Sequence, residues 1–177
     1  MDDRPLTGEP LALDLANTRW PVRDVLHDHL DDPLKLRAWL AGHGLDPGTS
    51  TGTGPSDARL REALATAREA IRAALEQHAY EELDAVLARG AVRLGITADG
   101  PAEHVEIDDE AWRPAWESAR AYLELVQSAE PGRIRNCAAP ECTLWFLDTS
   151  KNGRRRWCSM AQCGNRAKAR THYARGR

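Results

Sequence analysis

The sequence predicts a mainly α-helical protein with a small β component (α+β). An α-rich N-terminal domain over residues 1–131 precedes a small cysteine-bearing module over residues 132–177. Three observations carry that division. Between residues 32 and 130, apolar residues recur at spacings of three and four, as in helices with one buried face. All four cysteines lie beyond position 136. Charge divides at the same place. Residues 132–177 hold nine Arg and two Lys against Glu141 and Asp148, a formal +9, and since the whole chain is −3, residues 1–131 carry −12. An acidic body with a basic tail points to a polyanionic partner for the tail, or to docking of the tail on its own acidic domain.

At 177 residues the chain suffices for one medium and one small domain. No apolar run approaches the roughly 18 residues of a membrane span. Met1-Asp2-Asp3-Arg4-Pro5 opens the chain without an apolar signal core, so a cytoplasmic, thiol-reducing setting is expected.

The elements follow in order. Residues 1–8 read as a loose terminus. Leu11, Leu13 and Leu15 alternate as in a strand, whereas Leu11, Leu15 and Thr18 would line a helix, and both readings stand. Asp14, Asn17 and Arg19 are candidate ligand-site residues; local side-chain-to-backbone bonding is the plainer reading of Asp14 and Asn17. Asp32-Pro33 gives an N-cap acceptor and a first-turn proline, opening a helix that runs to about Gly42 and buries Leu36, Trp39 and Leu40. A Gly/Thr/Pro loop spans Asp46 to Pro55. Ser56 caps the longest helix, about 57–78, with Leu60, Leu64, Ala67, Ile71 and Leu75 as its stripe and interleaved Arg and Glu on a solvated face. A short helix at about 80–89 buries Leu83, Val86 and Leu87. Two strands near 92–107 form a hairpin around Ala98-Asp99-Gly100-Pro101. A last helix begins at Asp109 or near Arg113, since Pro114 disfavours the earlier start, with a stripe of Trp112, Trp116, Ala119, Leu123 and Val126. Pro131-Gly132 ends it.

The C-terminal module reads Cys137-x4-Cys142, a 15-residue spacer, then Cys158-x4-Cys163. Two short-spaced cysteine pairs suit one tetrahedral Zn²⁺, since each pair can turn both thiolates toward one cation. Two disulfides or four ordinary buried thiols are the competing readings. Leu144-Trp145-Phe146-Leu147-Asp148 reads as a strand, Asn152-Gly153 as a turn, and Arg154-Arg155-Arg156-Trp157 as a returning strand. A helix-forming run follows Cys163. Knuckle, hairpin and helix in that order are treble-clef-like, with Trp145, Phe146 and Trp157 as the small core over the metal.

These residues carry a resemblance. Cys137-x4-Cys142-x3-Phe146-Leu147-Asp148-Thr149-Ser150, Arg155-Arg156-Trp157-Cys158-Ser159-Met160 and Cys163-Gly164-Asn165-Arg166-x-Lys168-x-Arg170 resemble the CGNR zinc finger. Its members usually carry an N-terminal ABATE domain and are described as stress-linked bacterial transcription regulators. The match covers roughly residues 133–177; over the first 130 it rests on Leu13-Asp14-Leu15-Ala16-Asn17-Thr18 and on length. The resemblance implies a DNA-binding regulator; beside it, the cysteine spacing gives one structural Zn²⁺ per chain, and the acidic N-terminal domain is expected to be the sensory or regulatory part, with a small-molecule or protein partner.

Candidate DNA-contacting residues are Arg154, Arg155, Arg156, Arg166, Lys168, Arg170 and Arg175, because backbone phosphates need positive charge at intervals along a surface. Asn165 reads as a helix-start residue. Catalysis is not expected: four cysteines close the metal shell, and the chain lacks a Gly-rich phosphate loop, a nucleophile elbow and a paired-His motif. The alternative reading is a zinc-dependent protein-interaction, redox- or ligand-sensing module. A homodimer would add specificity to one small finger, although no heptad seam declares it.

Overall fold

The computed structural model describes the backbone of residues 3–22, 25–47 and 54–175, with side chains through Arg170. In chain order come α1 (Leu11–Ala16), β1 (Arg19–Val22), β2 (Val25–Asp28), α2 (Pro33–Gly42), α3 (Asp57–Gln77) and α4 (Glu81–Leu87). They are followed by β3 (Gly90–Thr97), β4 (Gly100–Ile107), α5 (Arg113–Ser128), β5 (Ile134–Asn136), β6 (Trp145–Leu147) and α6 (Asn165–Arg175). The strands pair as three antiparallel ribbons, β1–β2, β3–β4 and β5–β6. No helix among the described residues is long and apolar enough to cross a membrane.

The chain forms two compact units. One is Leu30–Leu123; the other joins Met1–His29 to Glu124–Arg177. The division expected at residue 131 therefore differs from the compact units, because the first 29 residues group with the finger.

In the 30–123 unit, local signals set the helix ends. Asp32 accepts from Leu34 N at 2.8 Å and Lys35 N at 3.4 Å, and Pro33 occupies the first turn of α2, where its missing N–H costs nothing. Ser56 caps α3 through Arg59 N. Leu60, Ala63, Leu64, Ala67, Ala70, Ile71 and Ala74 are buried along one face of α3. The face expected to be solvated has one exception: Arg68 is 2 % exposed, with Glu69 at 3.1 Å. In the β3–β4 ribbon, Thr97 faces Gly100 across a tight tip, and Gly100 takes φ +115°, which a side chain would resist. Gly90 allows the close approach of α5: a Cβ there would lie 2.8 Å from Trp116 Nε1, which donates to Leu87 O, and 3.0 Å from Glu106 O.

Two expectations change. α5 buries Ala115, Trp116, Ala119, Tyr122 and Leu125, whereas Leu123 and Val126 are 40 % and 49 % exposed. The buried stripe is thus rotated from the expected one, because Ala and Tyr positions contribute to it as well as the branched aliphatics. The segment 11–18, open between strand and helix, starts with α1, whose Ala12, Leu13, Leu15 and Ala16 are fully buried. The β1–β2 ribbon after it was not expected.

Candidate metal centre

The metal-centre residues are set by β5, β6 and the turns around them. Ile134 pairs with Leu147 and Asn136 with Trp145, so the strand containing Trp145 pairs with the segment before Cys137. This corrects the expected hairpin with 154–157. A buried carboxylate explains the change: Asp148 accepts from Ser150 N at 2.9 Å, Ser150 Oγ at 2.6 Å and Arg155 N at 2.9 Å. The 154–157 segment is held by that side chain in place of a ladder. The Ser150 hydroxyl, then the Ser150 and Arg155 amides, keep the Asp148 carboxyl below its ordinary range despite burial. Gly153 closes the loop at φ +58°.

Each cysteine is placed by its neighbours. Cys137 N donates to Leu144 O at 2.9 Å at the end of the β5–β6 ribbon. Cys142 N donates to Ala139 O at 2.9 Å, turning the first knuckle, and Ala138 N reaches Arg156 O at 2.8 Å. Cys158 N donates to Cys137 Sγ at 3.3 Å. Ser159 Oγ accepts from Gln162 N and opens the wide Met160–Gly164 turn that carries Cys163. At Gly164 a Cβ would meet Met160 Sδ at 2.7 Å and Trp157 Cδ1 at 3.3 Å, so this turn is packed around a bare α-carbon. Asn165 begins α6 and Arg166 Nη2 donates to Cys163 Sγ at 3.2 Å.

The four sulfurs all lie within 4.8 Å of one another. Cys142 and Cys158 sulfurs are 3.7 Å apart, and Cys158 and Cys163 sulfurs 3.6 Å. A disulfide would need about 2.05 Å. A tetrahedron of thiolates at about 2.3 Å from Zn²⁺ has edges of about 3.8 Å, close to these separations. The donor set is four soft thiols brought together at these separations, and it fits one structural zinc. The surroundings favour such a cation: the Cys158 hydrogen bond brings the Cys142 thiol down to about 6, while the neighbouring Cys142 and burial push the Cys158 thiol far up. Burial also raises Cys137. Packed together, the four can all ionise only around positive charge.

The N-terminal segment completes the centre. Trp20 is buried in one cluster with Leu144, Phe146, Cys137, Cys158 and Cys163, and Leu6 and Trp157 pack on it. Of the aromatic cover expected, Phe146 and Trp157 are present; Trp20 stands where Trp145 was expected. Asn17 Nδ2 donates to Trp145 O at 2.8 Å, and Trp145 N donates back to Asn17 Oδ1 at 2.9 Å. Glu9 Oε2 accepts from Leu147 N at 2.9 Å, and Glu9 Oε1 lies 3.3 Å from Arg155 Nη2.

The candidate residues therefore fall into groups. Cys137, Cys142, Cys158 and Cys163 converge. Arg155 turns inward over the Phe146 ring at 4.2 Å and donates to Cys158 O at 2.6 Å and Trp157 O at 3.1 Å. Arg166 is exposed but commits a nitrogen to Cys163, which raises its pKa. Arg154, Arg156, Lys168 and Arg170 are exposed around the centre; Arg156 lies over Trp157 at 5.1 Å, and Arg170 meets Glu141 at 2.6 Å. The Arg175 side chain lies outside the described residues. Asp14 is buried against Arg4 and accepts from Gly8 N at 3.2 Å. The Asn17 amide is committed to Trp145, not to a local turn, and Arg19 sits at the start of β1. Sequence reasoning missed Glu9 and Trp20; nothing local marks Glu9, while the apolar run Trp20-Pro21-Val22 was a signal for Trp20.

Comparison with known families agrees with this geometry. Residues 133–176 match the family model of the CGNR zinc finger. Residues 9–129 match the ABATE family model, described as "Putative stress-induced transcription regulator". No curated protein matches the chain.

Proposed function

The chain belongs to the ABATE family and carries a CGNR zinc finger at its C-terminal end, and from that premise we propose that it regulates transcription by binding DNA through this finger. The observation that carries the reading is the division of labour among its cations. Arg155 and Arg166 are committed to the fold and the thiolates. Arg154, Arg156, Lys168 and Arg170 remain exposed on a scaffold fixed by the metal. Counting four thiolates and one Zn²⁺, residues 132–177 keep a net charge of about +7.

Positive charges held at intervals suit successive backbone phosphates, and an Arg among them can read a guanine edge in the major groove. The zinc supplies rigidity when bound. The chain's own residues do the rest: the Asp148 loop presents Arg154 and Arg156, and α6 presents Lys168 and Arg170. The Glu141–Arg170 pair opens when a phosphate takes its place. Catalysis is outside this reading, since four sulfurs leave a tetrahedral shell no place for water. The 30–123 unit is the sensory part in this proposal, taking a small molecule or a protein.

The experiment is selection of zinc-loaded protein against a pool of random duplexes at two salt concentrations. An enriched, shared sequence supports the regulator, and a palindrome adds a two-fold dimer. No binding at low salt overturns the proposal.

A further inference from the structure

A cleft of about 710 Å³ opens beside the metal centre. Trp20, Pro21, Val22, Thr143 and Leu144 line it. Two of the four cysteines, Cys142 and Cys163, reach it. They are not equivalent. Cys163 is 2 % exposed, and Arg166 donates to its sulfur at 3.2 Å. Cys137 and Cys158 are 4 % and 2 % exposed and do not line the cleft. Cys142 alone among the four is only half-buried. A small electrophile in the cleft therefore meets the Cys142 sulfur first, and oxidation of cysteine follows thiolate character and access. The Cys158 sulfur stands 3.7 Å behind it.

We infer that Cys142 is a modification site, at which hydrogen peroxide entering the cleft oxidises the sulfur, Cys158 closes a disulfide onto it, and the centre gives up its cation. The Cys142 thiolate attacks one peroxide oxygen: the S–O bond forms as the O–O bond breaks, and the departing hydroxide takes a solvent proton and leaves as water. The Cys158 thiolate then attacks the sulfenic sulfur: the S–S bond forms as the S–O bond breaks, and a second hydroxide leaves as water. The two sulfurs lose two electrons and the peroxide gains two. Two thiolates remain, too few to hold the metal that folds the finger. The inference rests on the metal centre and not on DNA binding, so the two fail separately.

The test treats the zinc-loaded full chain with hydrogen peroxide and dimedone, maps adducts by peptide mass and follows zinc with a coloured chelator. The expected result is an adduct on Cys142 at least about five-fold ahead of the other three, with one zinc released per chain. Without dimedone, a Cys142–Cys158 disulfide forms, and reductant with zinc restores the protein. Thr143→Trp fills the cleft from a lining position that is not itself a ligand; it keeps one zinc and slows release several-fold. If that variant loads less than one zinc, Val22→Trp, at a lining position in the N-terminal segment, takes its place. A first adduct on Cys137, Cys158 or Cys163 overturns the inference, as do zinc loss with unmodified cysteines and an unchanged release rate in a zinc-loaded plugged variant.

Discussion

Asn17 and Trp145, 128 positions apart, exchange two hydrogen bonds between one side-chain amide and the backbone N–H and C=O of one residue. The amide acts as a one-residue strand along β6, and with Glu9 and Trp20 it makes the N-terminal segment part of the zinc finger's fold.

Asn17→Ala leaves the Trp145 N–H and C=O without the partners that the side-chain amide gave them. Each polar group left without a partner costs about 1–3 kcal/mol, so the variant should lose about 2–6 kcal/mol in denaturant unfolding of the zinc-loaded protein. A loss below about 0.5 kcal/mol would detach α1 from the finger's stability.

Cys158→Ser should abolish tight zinc binding and unfold the finger. Because residues 1–29 group with it, amide exchange should rise in α1 and β1 as well as β5 and β6, while α3 in the other unit stays protected. Unchanged protection in α1 would contradict the link.

Arg155 and its sequence neighbours should separate cleanly. Arg155→Gln forfeits charge-assisted bonds to Cys158 O and Trp157 O and should cost about 2–3 kcal/mol of stability. Arg154→Gln with Arg156→Gln should leave stability within about 0.5 kcal/mol. The same pair should lower DNA affinity and flatten its salt slope by about 0.9 for each phosphate no longer neutralised. Equal effects of both changes on stability would remove the distinction.

Much of this was legible in the sequence. The two cysteine pairs, the Asp32-Pro33 start, the Ser56 cap and the α3 stripe are local signals, and each element formed where its signal lay. What could not be read depends on partners far along the chain. β6 met β5 because Asp148 spends its oxygens on Ser150 and Arg155, and a carboxylate gives no periodicity to read. Arg155 and Arg166 look like phosphate ligands in a basic run, yet one serves carbonyls and the other a thiolate. Gly90 drew no expectation, because its need is the Trp116 indole packed against it, far along the chain.

Gly90→Ala tests that packing. Its Cβ would press on the Trp116 indole and the Glu106 carbonyl, a clash costing about 1–3 kcal/mol. Thermal unfolding should show the loss while zinc content stays at one per chain.

The most direct measurement of the central claim is amide exchange of the zinc-loaded protein with and without a duplex from the selection. The account predicts added protection in residues 150–157 and in α6, lost at high salt. Protection confined to residues 30–123, or none at saturating duplex, would contradict a finger that grips DNA.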